Sequence, residues 1–148
     1  MKTLAVGAYG IKGHARAEWF DSDDLTWSKL DDSPVGQRYS DFCISAVGAE
    51  FYLFGGYAYN LGYQDSTVIS RFSSGKWQLV GELTTKRKGH NVIVKDSQFW
   101  IVGGQGSFKT EVCSITGDRV SCDEHGDQKL QSYSFYPEMF IVPYNFCL

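Results

Sequence analysis

Short apolar runs alternate with turn residues along this chain. In its middle they fall at Phe51–Gly55, Val68–Ser73, Lys76–Val80 and Asn91–Lys95, each of strand length. Ser74-Gly75 predicts a hairpin between the second and third runs, and Asp96-Ser97 turns the chain into the next strand. Val92-Ile93-Val94 and Phe99–Val102 are nearly continuous in apolar residues. That is the pattern of strands covered on both faces, as in sheets stacked on sheets.

The pattern repeats. Phe51-Tyr52-Leu53-Phe54-Gly55-Gly56 matches Phe99-Trp100-Ile101-Val102-Gly103-Gly104, and an equal step backwards from Gly55 lands on Gly7. Trp27 and Trp77 follow the first two glycine sites, while the third unit has Val120 near that place. A basic or aromatic segment precedes each next apolar strand: Gln37-Arg38-Tyr39, Lys86-Arg87-Lys88-Gly89-His90 and Tyr133-Ser134-Phe135-Tyr136. Units at approximately 1–47, 48–95 and 96–148 each read as four short strands. A period of roughly 40–50 residues with four strands per unit is the sequence sign of a β-propeller.

Four apolar residues before a Gly-Gly pair, a downstream Trp and a basic residue before the next strand resemble the kelch motif. The likeness is strongest over residues 51–104; the first unit keeps one glycine (Gly7-Ala8) and the third lacks the Trp. The resemblance implies an all-β fold of about three kelch-type propeller blades, used for protein binding. Gly7, Gly55, Gly56, Gly103 and Gly104 then build the blades, sitting where a strand ends and the chain turns without a Cβ in the way. Trp27 and Trp77 are expected between adjacent blades, where a large ring buries much area. Three blades are too few to close a ring, since propellers have four to eight. The chain is therefore expected to be part of a longer propeller, with a homodimeric ring as the sharper alternative. The last strand is expected at Glu138–Val142.

Composition narrows the function classes. The 148 residues carry a net charge of −3, which gives no support to nucleic-acid binding. No run approaches the roughly 18 apolar residues of a membrane span. Aromatics at 16% with 16 Gly and only 3 Pro suit twisted strands joined by tight turns. Lys2, Leu4–Ile11 and Ala15-Arg16-Ala17 imitate a signal peptide, but Gly7, Gly10 and Lys12 interrupt the apolar stretch and favour a strand.

The cysteines are Cys43, Cys113, Cys122 and Cys147, with no C-x-x-C pair. If Gly117-Asp118 is a two-residue type II′ loop, Thr116 pairs with Arg119 and, counting outward, Cys113 lies opposite Cys122 in a non-hydrogen-bonded pair. The arithmetic predicts a cross-strand disulfide. It tilts localisation toward a secreted over a cytoplasmic setting. Zinc on Cys113, Cys122 and His125 would lack a fourth ligand. No metal or other cofactor is expected.

Recognition is placed on one rim, since antiparallel strands bring the post-glycine loop and the loop entering the next unit together. The expected protein-binding residues are Tyr57, Tyr59, Asn60, Tyr63, Arg87, Lys88 and Phe108, because tyrosine and arginine are favoured at binding hot spots and long loops carry recognition. The bland reading is that the tyrosines brace the loop and the basic run is solvated. Asp21-Ser22-Asp23-Asp24 imitates a calcium loop, but Thr26 stands where Gly is needed, and a solvated acidic hairpin fits better. His14, His90 and His125 lie in three different units, and no G-x-S-x-G, H-E-x-x-H or P-loop occurs, so the chain is read as a non-enzyme. The alternatives are a fragment of a kelch-type oxidase or sugar epimerase, or the substrate-recognition part of a ubiquitin-ligase adaptor, which would need a helical BTB domain outside this sequence.

Overall fold

A computed structural model describes residues 2–7, 16–30, 39–58 and 62–129. Every regular element among them is a strand: β1 (Lys2–Gly7), β2 (Arg16–Asp21), β3 (Thr26–Lys29), β4 (Tyr39–Ser40), β5 (Cys43–Val47), β6 (Glu50–Phe54), β7 (Tyr57–Ala58), β8 (Gln64–Asp65), β9 (Val68–Ser73), β10 (Lys76–Glu82), β11 (Asn91–Lys95), β12 (Gln98–Val102), β13 (Lys109–Thr116) and β14 (Arg119–Lys129). The expected last strand, residues 138–142, lies outside the described residues.

The strands form antiparallel meanders. The first sheet is β1-β2-β3, the middle sheet β5-β6-β9-β10 and the third sheet β11-β12-β13-β14. A small sheet, β4-β7-β8, stands beside them. The middle and third sheets touch at both margins. Their outer strands β10 and β14 run parallel and pair at Gly81 and Val120, so the eight strands count as one nearly closed sheet. Their other edge strands, β5 and β11, also lie together, with Cys43 Sγ 4.0 Å from Asn91 Oδ1. Asn91–Lys95 thus pairs into the third sheet, not with the strands of residues 48–95. The sequence repeat runs one strand out of step with the sheets.

The core lies between the two four-stranded sheets. Tyr52, Phe54 and Ile69 meet Phe99, Ile101, Cys113 and Val120 there, all buried. The Phe99 ring sits 4.8 Å from both Tyr52 and Phe54. Such rings bury the largest areas available and fix sheet separation. The first sheet leans on the middle one through Trp19, 5.6 Å from Phe51 and 6.0 Å from Phe72.

The registers make the three sheets equivalent. Counting back four residues from Gly7, Gly55 and Gly103 gives Thr3, Phe51 and Phe99. Their cross-strand partners run Thr3–Phe20–Trp27, Phe51–Phe72–Trp77 and Phe99–Cys113–Cys122. The third sheet therefore carries Cys122, not Val120, where the others carry tryptophan. Trp27 also departs from expectation: it is 58% exposed instead of wedged between sheets. Trp77 is half-buried against Phe72, Leu53 and Ala58.

Candidate functional site

The rim on which the glycine pairs lie is organised by the segment from Leu83 to His90. It crosses from β10 to β11 and hydrogen-bonds to both sheets. Leu83 N donates to Thr67 O (2.7 Å), Arg87 N to Ser66 O (3.3 Å), and Gly56 N to Arg87 O (2.9 Å). Lys88 and Gln105 exchange backbone bonds of 3.2 and 2.8 Å.

Arg87 is the pin of this crossing. Its side chain is fully buried, so it is not presented at the rim as the sequence reading expected. Nη2 donates to Glu111 Oε1 at 2.5 Å, and Nη1 to the carbonyls of Lys109 (3.0 Å) and Gly103 (3.2 Å). Glu111, equally buried, also accepts from the backbone N–H of Thr84 (2.7 Å) and Thr85 (3.3 Å). A charge can stay inside a protein only when paired and hydrogen-bonded in this way. Sequence reasoning missed Glu111. The available signal was strand parity, since Glu111 lies two residues from the buried Cys113 and shares its face.

One glycine of each pair makes room for the crossing. A Cβ on Gly55 would lie 2.6 Å from Arg87 O and 2.8 Å from His90 Cε1; one on Gly104 would lie 2.7 Å from Lys88 O and 2.8 Å from His90 Cβ. Both residues also adopt positive φ, where any Cβ is disfavoured. His90, held between them, is buried, and neither ring nitrogen has a hydrogen-bond partner among the described residues. Burial first, and the charge of Arg87 second, depress its pKa to about 3. A ring so placed stays neutral near pH 7 and does not face the rim as a base.

Three loops gather above this frame. Lys86 Nζ donates to Gln64 Oε1 (2.9 Å), tying the crossing to the β7–β8 hairpin. Lys88 pairs with Asp65 (3.2 Å) and lies 4.0 Å over the Tyr57 ring. Tyr57 Oη donates to Tyr63 O (3.0 Å), so Tyr57 braces its own hairpin. Beyond the Lys88–Gln105 bridge, the third sheet's loop ends in Ser107, whose hydroxyl accepts from Lys109 N (3.1 Å). Tyr63 is 65% exposed and Phe108 46%. Tyr59 and Asn60 lie outside the described residues.

Other candidate chemistry resolves as follows. Cys113 and Cys122 form the disulfide, with Thr116 opposite Arg119. Gly117 has φ +60 and Asp118 does not have positive φ, as a type II′ turn requires. Glu111 lies near both sulfurs, but they are bonded to each other and offer no thiolate to a metal. In the acidic hairpin, Asp21 accepts from Asp23 N (3.1 Å) and Asp24 from Thr26 N (3.0 Å), ordinary turn-capping work. A cleft of about 1150 Å³ opens beside the Gly81–Val120 junction, lined by Arg71, Gln78, Leu79, Asp118 and Arg119 among others. Arg71 is engaged there by Asp118 and Gln78, each at 3.1 Å.

No family model matches the chain, and no curated protein does. Among solved structures, one titled "Structure of YjhT" is similar, with 16% identity and a TM-score of 0.61 over 76% of this chain and 38% of that one. At that identity the likeness is one of all-β fold. This chain spans well under half of that structure's length.

Proposed function

We propose that the chain is a run of kelch-type propeller units serving as a non-catalytic scaffold that binds another protein through its rim loops. The equivalent places of Gly55 and Gly103, each closing the second strand of a four-stranded meander, support the kelch reading. The observation that carries the binding reading is the rim. Three loops from two sheets are locked to one another and to a buried Arg87–Glu111 pair, while Tyr63 and Phe108 remain exposed above them. Rigid scaffolds whose loops present exposed aromatics match the usual make-up of protein-binding surfaces. Arg87 leaves the contact set and becomes its foundation. Tyr63, Phe108 and Lys86 form the contact set, with Tyr57 and Lys88 holding the loops. The disulfide supports placement in an oxidising compartment.

The test compares protein capture by immobilised wild type, by Tyr63→Ala/Phe108→Ala, and by the opposite-rim control Asp23→Ala/Asp24→Ala. A partner retained by the control and lost by the aromatic double variant supports the reading. Equal capture by all three refutes the rim assignment.

A further inference from the structure

The lysines beside the crossing segment are not equivalent. Lys88 is paired with Asp65 at 3.2 Å, and Lys109 with Glu124. Glu124 also accepts from Thr85 Oγ1 at 2.6 Å, so it is fully engaged next to the chain at Lys86. Lys86 differs from both. It is exposed, and its one polar side-chain partner among the described residues is the neutral amide of Gln64. Two anchors fix Lys86 between the exposed rings of this rim. Its side chain reaches Gln64, next in sequence to Tyr63, with Nζ 2.9 Å from Oε1. Its carbonyl lies against Gly106, two residues before Phe108, where a Cβ would come 2.2 Å from Lys86 O. Tyr63 carries a second signal. It holds φ +56, which a bulky side chain rarely adopts, and Tyr57 Oη pins its carbonyl there. Side chains kept in such conformations are concentrated at ligand-binding sites.

We propose that the protein docked on this rim presents a short acidic segment, with one carboxylate side chain on Lys86 and apolar side chains on Tyr63 and Phe108 to either side of it. The inference rests on the rim reading above and names the chemistry of the partner. An ammonium group has three protons to donate, and Gln64 takes one of them. A carboxylate from the partner completes the set and supplies the counter-charge that no described residue gives Lys86. Lys88 and Lys109 do not compete for it. Each is held by a carboxylate of this chain, and Lys88 also lies 4.0 Å over the Tyr57 ring. The work is divided between the two kinds of side chain. The rings supply contact area, and the lysine selects among partners, because charge across an interface governs specificity more than affinity. A basic segment brought to the same place meets like charge at Lys86 and is rejected.

Selection of a phage-displayed random-peptide library on the immobilised whole chain is the test, with Lys86→Gln, Lys86→Glu and Tyr63→Ala/Phe108→Ala as parallel baits. All three positions are exposed, so the fold is expected to survive, and unchanged urea midpoints check this. Peptides enriched on the wild type are expected to carry Asp or Glu between apolar residues and to be lost from Tyr63→Ala/Phe108→Ala. In fluorescence anisotropy, a selected peptide is expected to bind Lys86→Glu roughly tenfold or more weakly, the scale of a like-charge contact. Replacing the peptide's acid by its amide is expected to weaken binding to the wild type and to leave binding to Lys86→Gln unchanged. Added salt is expected to narrow the gap between the wild type and Lys86→Gln. Peptides that need Tyr63 and Phe108 but show no acidic bias overturn the acidic partner and leave the rim reading standing. Acidic peptides that bind Lys86→Glu as they bind the wild type do the same. Enrichment that survives Tyr63→Ala/Phe108→Ala, or no enrichment on the wild type, overturns both.

Discussion

Removing Arg87 is expected to damage the protein more than removing any exposed residue of the rim. In Arg87→Met the volume is largely kept, but Glu111 loses its guanidinium partner and the carbonyls of Gly103 and Lys109 lose their donor. Breaking a buried pair from one side costs about 3–5 kcal/mol. Glu111 keeps the amides of Thr84 and Thr85, which places the expected cost toward the lower end. At an m of about 2 kcal/mol/M, the urea midpoint falls by roughly 1.5–2 M. The reciprocal Glu111→Leu strands a guanidinium in the core and is expected to cost at least as much. The double variant Arg87→Met/Glu111→Leu leaves neither charge, and exposed Thr84 can return its N–H to water. Its cost is expected to fall below the sum of the singles by about 2 kcal/mol or more. Tryptophan fluorescence during urea unfolding of all four proteins completes the cycle. A single-variant cost under about 1 kcal/mol, or additive costs, would refute the idea that this pair locks the crossing segment to both sheets.

Three further outcomes are expected. Cys113→Ala/Cys122→Ala opens a loop of sequence separation 9 and should lower stability by about 2.5 kcal/mol on the loop-entropy model; an unchanged urea midpoint would count against the bond. His90, with a folded pKa of about 3 against 6.5 when unfolded, contributes stability that is complete above pH 6.5 and is lost as pH falls toward 3, at up to about 1.4 kcal/mol per pH unit. Glu50 and Glu124, whose pKa values are lowered by hydrogen bonds from Tyr52 and Lys109 respectively, contribute stability that begins to be lost only below about pH 4.5. Between pH 4.5 and 6.5 the depressed His90 pKa makes stability rise with pH, and His90→Leu should flatten that slope in urea titrations; an unaltered slope would show that another group is responsible. Gly81→Ala places a Cβ 2.1 Å from Val120 O and should cost about 1–3 kcal/mol, with amide protection lost together in β10 and β14; protection kept in both strands would sink the claim.

What could be read from the sequence was whatever a short-range rule determines. The Gly117-Asp118 turn fixes its own register, so the position of Cys122 opposite Cys113 follows by counting. Gly55 and Gly104 were equally legible, because close backbone approach leaves no substitute for glycine there. The grouping of Asn91–Lys95 was not, because in a meander the same strand reads equally well as the end of one sheet or the start of the next. Arg87 was misplaced for a different reason. A basic run normally signals solvent, and only a distant acidic residue on the buried parity of β13 could have marked one of its members as internal. Trp27 was expected in a wedge because its twin Trp77 has a neighbour; sequence equivalence carries side-chain position, but not the presence of the sheet that covers it.

The recurring pair position also explains how the two four-stranded sheets come close enough to merge. Phe72–Trp77 fills the space between the first and middle sheets with two rings. Cys113–Cys122 fills the next such space with two sulfurs, a much smaller volume. An indole at position 122, two residues from Val120 on the same strand, would hold β14 away from β10. The disulfide lets the strands approach until Gly81 meets the Val120 carbonyl, and Gly81 in turn tolerates that approach because it has no Cβ. The bridge therefore offsets by covalent restraint the ring area that the third sheet lacks. Restoring both rings with Cys113→Phe/Cys122→Trp should part β10 from β14 even though it reproduces the pattern of the other two sheets.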